Sequence, residues 1–263
     1  MRSNRYMSKF STKEMIWKLS IFVLLCITIK SRMDCEGRFE KINMEVDDES
    51  LISDTDVNFY SFVKTYAGSE GISLYLSSIQ ETRDGGYIIS GTTSSIGSDS
   101  GKYLLILKLR ADGEIEWQKS YGWGIYSDSS FIQQTSDDGF IITTTTGIYG
   151  AGNDDILTLK VDINGRKVWG KTYGGHAADK ASSIQLTRDG GYILTGNTYS
   201  FGVGDLDIWI LKLRGDGSIE WQKTYGGSDW DYASAIQQTR DGGYILAGNT
   251  NSFGAGGQDI WIL

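Results

Sequence analysis

Downstream of residue 57, apolar and polar positions alternate in short runs punctuated by Gly, Asp and Asn, and the pattern returns at a fixed interval. The stretch "ASSIQLTRDGGYILTGNTYSFGVGDLDIWILKLRGDGSIEWQKTYGG" shows the unit most clearly. Its first two runs, "SSIQLT" and "YILTGNT", are joined by "RDGG", and the Asp-Gly step supplies the positive-φ positions of a tight hairpin. The third run, "DIWILKL", is apolar on both faces, as a strand buried on both sides must be. A second Asp-Gly turn leads to "SIEWQKTY", in which Ile219, Trp221 and Tyr225 are read as one face and Ser218, Glu220, Gln222 and Thr224 as the other. Polarity on one side marks an outer strand.

Trp117, Trp169 and Trp221 are 52 residues apart, as are Lys108, Lys160 and Lys212, and Ile132, Ile184 and Ile236. A period of this length, with four antiparallel strands per copy, predicts an all-β fold, a β-propeller of four-stranded blades. A single blade cannot bury both faces, so blades must stack and the ring must close or leave its end blades exposed. The fourth copy runs only as far as "DIWIL", while residues 58–66, "NFYSFVKTY", align on "IEWQKTY" with Tyr60, Phe62 and Tyr66 over Ile219, Trp221 and Tyr225. The expectation is therefore four blades, 77–122, 129–174, 181–226, and 233–263 completed by 58–66. A closed monomer is favoured; two chains in one eight-bladed ring, or a piece of a longer array, are the rivals.

The order "SAIQQT…DGGYILAGNT…DIWILKL…IEW" resembles the kelch-type blade, in which a glycine-bearing hairpin precedes an Asp-apolar-Trp strand and a Trp-bearing outer strand. Kelch glycines end the second strand, whereas Gly190-Gly191 and Gly242-Gly243 sit in the turn before it. The unit is more similar to uncharacterised exported β-propeller-repeat proteins of bacteria and archaea that carry "WQKTYGG" and "DGGYI". That resemblance covers residues 58–263; it implies a propeller and names no substrate.

Composition agrees with many short strands: 34 Gly, 23 Trp and Tyr together, and no Pro, so turns rest on Gly, Asn and Asp. Residues 1–35 hold seven of the 25 Lys and Arg but two of the 33 acids, which leaves 31 acids against 18 basic residues downstream. No basic cluster stands out there, so nucleic acid is not an expected partner. The apolar run Leu19 to Ile29 between Lys13, Lys18, Lys30 and Arg32 suits the core of an export signal and is short for a helical membrane span. Residues 1–35 are thus expected to be an export signal or N-terminal membrane anchor, and 36–56 an acidic linker to a propeller over 57–263. The expected location is extracellular or at the cell surface, with membrane contact only through the N-terminal segment. Cys26 and Cys35 both precede the repeats, which excludes a disulfide or thiolate metal site within them.

Alternating strands put the short Asp-Gly turns on one end of the blades and loops of the types "NTYSFGVGDLD" and "GGSDWDYAS" on the other, where binding is expected. Candidate ligand-binding residues there are His176, Asp229, Trp230 and Tyr232, with Trp123 and Tyr126 in the equivalent earlier loop. Trp and Tyr beside Asp suit a sugar ring or a protein surface. Asp155, Asp207 and Asp259 close a Gly-rich loop; hydrogen bonds from loop N–H groups explain them, with calcium as the alternative and no organic cofactor expected. Asp179 and Asp231 read as turn caps. No Ser or Cys nucleophile motif accompanies His176, and no acid pair stands out among the many Asp. A non-catalytic binding protein is the leading reading, with a glycan-active hydrolase or a structural fragment as alternatives.

Overall fold

The computed structural model describes residues 64, 66, 73–94 and 102–263, with the side chains of 123 and 126–128 excepted. All of the regular structure in this part is β. Unit 1 comprises β1 (Leu74–Glu81), β2 (Tyr87–Ser94), β3 (Lys102–Leu109) and the first half of β4 (Ile115–Gln134). Unit 2 takes the second half of β4 with β5 (Phe140–Thr146), β6 (Asp155–Val161) and β7 (Lys167–Tyr173). Unit 3 is β8 (Asp179–Leu186), β9 (Tyr192–Thr198), β10 (Asp207–Leu213) and β11 (Ile219–Tyr225). Unit 4 has β12 (Asp231–Gln238), β13 (Tyr244–Thr250) and β14 (Asp259–Ile262). Each strand pairs antiparallel with its sequence neighbour inside its unit, giving one seven-stranded, one four-stranded and one three-stranded sheet.

Units 1 and 2 are one sheet because β4 is continuous. Ile125, 2% exposed, pairs with Lys102 on one side and Thr146 on the other, so the chain passes between units without leaving the ladder. This corrects the sequence reading of a loop at Trp123 and Tyr126: the backbone there is strand.

Three apolar clusters lie between consecutive units. Ile88, Leu104, Ile106 and Phe140 join units 1 and 2; Ile141, Ile156, Leu194 and Trp209 join units 2 and 3; Ile193, Ile208, Ile236 and Leu246 join units 3 and 4. β10 is buried along its whole length, as its two-faced apolarity predicts. The outer strands deviate from simple alternation. Lys212 opposes Trp221 but Leu213 opposes Ile219, a bulge that turns Ile219 outward, 40% exposed, while Trp221 and Tyr225 stay half-buried. The same bulge immediately precedes Trp117 and Trp169.

Outer strands also latch unit 1 to unit 2 and unit 2 to unit 3. Trp117 donates its indole N–H to Ile163 O at 3.0 Å and Trp169 to Gly215 O at 3.2 Å. Tyr121 donates its hydroxyl to Gly165 O, and Tyr173 donates to Gly217 O at 2.6 Å. Tyr66 makes the matching bond to Gly113 O, and Lys64 pairs with Glu114 at 2.9 Å. The remainder of 58–66 and the segment 1–57, including the apolar run 19–29 and both cysteines, lie outside the described residues. No helix among the described residues is long and apolar enough to cross a membrane.

At the short-turn end, Lys108, Lys160 and Lys212 are almost fully buried. Each ammonium reaches an Asp of a hairpin turn: Asp84 at 2.8 Å, Asp137 at 2.9 Å and Asp189 at 2.7 Å. Each also donates to a carbonyl one residue ahead, Leu109, Val161 or Leu213, so the buried charge is both paired and hydrogen-bonded. Arg83 and Arg188 stretch across to the hairpin turns 52 residues on, binding Thr135 O and Thr239 O, both at 2.9 Å. This end is closed by structural contacts.

Candidate functional site: the long-loop end

In units 2, 3 and 4 the loop between second and third strands is pinned at both ends. It opens on a Thr whose hydroxyl accepts two backbone N–H groups: Thr198 from Ser200 and Phe201 at 3.0 and 3.1 Å, Thr250 from Ser252 and Phe253 at 3.1 and 3.2 Å. It ends on an Asp whose Oδ2 accepts a loop N–H: Asp155 from Gly152 at 3.1 Å, Asp207 from Val203 at 2.5 Å, Asp259 from Ala255 at 3.0 Å. The loop-closing role expected for these three residues is what their geometry shows.

Pinning both ends pushes the middle of each loop outward. Tyr149, Phe201 and Phe253 occupy the same repeat position and remain 42%, 38% and 48% exposed. Phe201 leans on Trp209 with ring centroids 4.8 Å apart, and Phe253 on Trp261 at 5.1 Å, so each ring is held by a partner from the third strand. Tyr199 and Val203 flank Phe201 and are also exposed.

The connections between units carry a second anchor. Asp179 Oδ2 accepts from Gly175 N and Ser200 Oγ, both at 2.7 Å. Asp231 repeats this with Gly227 N at 2.9 Å and Ser252 Oγ at 2.7 Å. The two serines belong to the long loops, so one carboxylate ties the connection to the neighbouring loop. The glycine pair of "YGG" follows from the same packing. A side chain at Gly174 would fall on Asp155 Oδ1 and lie 2.9 Å from Asp179 Oδ2, and one at Gly175 would lie 2.6 Å from the Ser200 side chain.

Of the residues singled out by sequence, Trp230, Tyr232 and Asp229 come together. Trp230 is 46% exposed and stands edge-on to Tyr232, 6.4 Å away at 88°, and Asp229 is exposed beside them. Burial and the neighbouring Tyr199 push the Tyr232 phenol up, which places Tyr199 at the same patch. His176 is exposed one connection earlier. The side chains of Trp123 and Tyr126 lie outside the described residues. Asp155 and Asp207 are buried and Asp259 only partly so. Burial pushes the carboxyls of Asp155 and Asp207 up, and Asp179 and Asp231 respectively push the same way.

The sequence reading missed the exposed apolar positions Tyr149, Phe201, Val203 and Phe253. Their signal was present: "GIYG", "YSFG" and "NSFG" place an aromatic before a glycine at the same point of three repeats. Among the described residues, no group of three or more His, Cys, Asp and Glu is placed to hold a metal ion.

No known family profile matches the chain, and no curated protein does. Among solved structures, the WD40 domain of Pan2 from Neurospora crassa is similar at 13% identity and a TM-score of 0.33, over 67% of this chain and 62% of that one. The chain thus spans less than two thirds of that domain's length.

Proposed function

We propose that the repeats form a β-propeller of four blades that presents its long-loop end to a protein partner, without catalysis. The observation that carries this reading is the set of exposed apolar side chains, Tyr149, Tyr199, Phe201, Val203 and Phe253 on loops whose termini are fixed by Thr and Asp, with Trp230 on the connection beside them. Aromatic anchors on a rigid base lose little entropy when they bind, and exposed apolar surface rimmed by polar residues marks interaction sites. The opposite end also exposes apolar side chains, Ile163 at 48% and Ile219 at 40%, but these are single aliphatic residues beside tight turns and buried lysine pairs.

Two further elements belong to this proposal. Residues 58–66 supply the outer strand of the blade before unit 1, with β12–β14 as its other three strands; the Tyr66 bond to Gly113, equivalent to those of Tyr121 and Tyr173, supports this. Residues 1–35 direct the chain out of the cytoplasm, as their basic flanks and apolar run suggest.

Trp230 and Tyr232 beside Asp229 favour a glycan as the second reading, since an exposed indole can stack on a sugar face while a carboxylate accepts its hydroxyls. Protein and glycan arrays probed with the wild type and with Val203→Asp and Trp230→Ala separate the two. Protein ligands lost with Val203→Asp, at unchanged thermal stability, are expected. Binding that both substitutions leave intact would remove this face as the site. Turnover on a polysaccharide panel, abolished at a loop Asp, would replace binding by hydrolysis.

A further inference from the structure

The loop-closing and connection-anchoring aspartates meet in pairs across unit boundaries, Asp155 with Asp179 and Asp207 with Asp231. The four residues are 1%, 0%, 2% and 0% exposed. In every one, Oδ2 takes the loop hydrogen bonds described above, while Oδ1 is buried with no hydrogen-bond partner. The members of a pair are close: the space a Gly174 side chain would fill is shared by Asp155 Oδ1 and, at 2.9 Å, Asp179 Oδ2, and Gly226 repeats this with Asp207 Oδ1 and Asp231 Oδ2. Among the described residues no Lys or Arg pairs with any of the four; Lys180 reaches Asp154 instead, at 3.8 Å.

Two buried carboxylates side by side, each with an unused oxygen, need compensating charge. One proton per pair would still leave a buried negative charge, whereas one divalent cation balances both. The oxygen-only donor set suits a hard cation of the calcium type. The sequence contains its own control. At the boundary of units 1 and 2 the equivalent positions are Tyr103 and Ser127, so both carboxylates are missing together. Asp259, which closes its loop in the same way, is more exposed, in the pattern of β14.

We propose that Asp155 with Asp179, and Asp207 with Asp231, each bind one divalent cation of the calcium type that bridges adjacent units at the long-loop end. This shifts the metal reading of the sequence: Asp259 drops out, and the turn caps Asp179 and Asp231 enter. Two carboxylates supply a minority of the six to eight oxygens that calcium takes, so loop carbonyls and water complete the shell. The affinity then falls in the weak range of extracellular modules, roughly 10⁻⁴ to 10⁻³ M.

Calorimetric titration of the chelator-treated full chain with calcium chloride is the test, with thermal unfolding followed alongside in calcium, magnesium and matched sodium chloride. Two sites per chain are expected, with Tm rising saturably by about 5–10 °C at 10 mM calcium. Asp155→Asn with Asp207→Asn should remove both binding and the rise. No saturable calcium heat or stabilisation in the wild type would overturn the proposal, whether or not the variant folds. So would a variant that keeps the calcium response, which puts the ion elsewhere. A variant that is itself more stable, in a chain whose wild type ignores calcium, would show that each pair merely shares a proton.

Discussion

Tyr173 and Tyr225 occupy the same position of consecutive units, but among the described residues only Tyr173 of the two finds an acceptor, Gly217 O, in the turn of the following unit. Tyr173→Phe should therefore cost about 1–2 kcal/mol and lower Tm by several degrees, while Tyr225→Phe should be close to neutral. Equal losses in chemical unfolding would show that the hydroxyl bond is not what holds units together. The Lys212 pair gives a pH dependence. The hydrogen bond from Lys212, then that from the Thr187 hydroxyl, bring the Asp189 carboxyl from its ordinary 3.8 down to about 2. A depressed carboxyl contributes stability that is complete above its unfolded value and is lost as pH falls through the folded one. The stability gap between wild type and Asp189→Asn should thus hold from pH 7 to about 5 and close toward pH 2, and a gap independent of pH would dismiss the pair. At this scale the sequence was partly legible. The 52-residue spacing of the lysines was visible, but a lysine between leucines gives no sign that it is buried until its Asp partner arrives from another strand.

Elements were the more readable level. The Asp-Gly hairpins, the doubly apolar third strand and the outer strand all stand where alternation predicts them, because local turn chemistry and burial ask for the same register. The exceptions come from contacts that no local pattern encodes. The bulge beside Trp221 turns Ile219 outward, and the burial of Ile125 draws the 123–128 segment into β4. Between elements, Arg188 spans two units through Thr239 O and Arg240 O at 2.9 and 2.8 Å. Arg188→Ala should speed hydrogen exchange in the turn after β12 and at the start of β13 and leave β10 unchanged. Uniform acceleration across both units would mean that they open as one body.

For the whole molecule, stacking governs stability, and the two terminal units show what stacking has yet to cover. Ile79 in unit 1 is 66% exposed, and Ile260 and Ile262 in unit 4 are 80% and 57% exposed. A groove of about 390 Å³ between units 3 and 4 is lined by Trp221, Tyr225, Ile236, Tyr244, Leu246 and Leu263, where earlier boundaries place a third-to-fourth strand turn. Exposed apolar edges of this kind favour strand addition. The β10–β11 ladder, in which Ile210 opposes Lys223, maps onto Ile262 opposite Lys64 when residues 58–66 take the fourth place in the last blade.

Oxidation of a Lys64→Cys, Ile262→Cys pair in a chain with Cys26 and Cys35 changed to Ser tests that closure directly. A disulfide formed within the monomer is expected, seen as a reducible shift in mobility at unchanged light-scattering mass. A bond found only between two chains, or none under conditions that keep the chain folded, would contradict it.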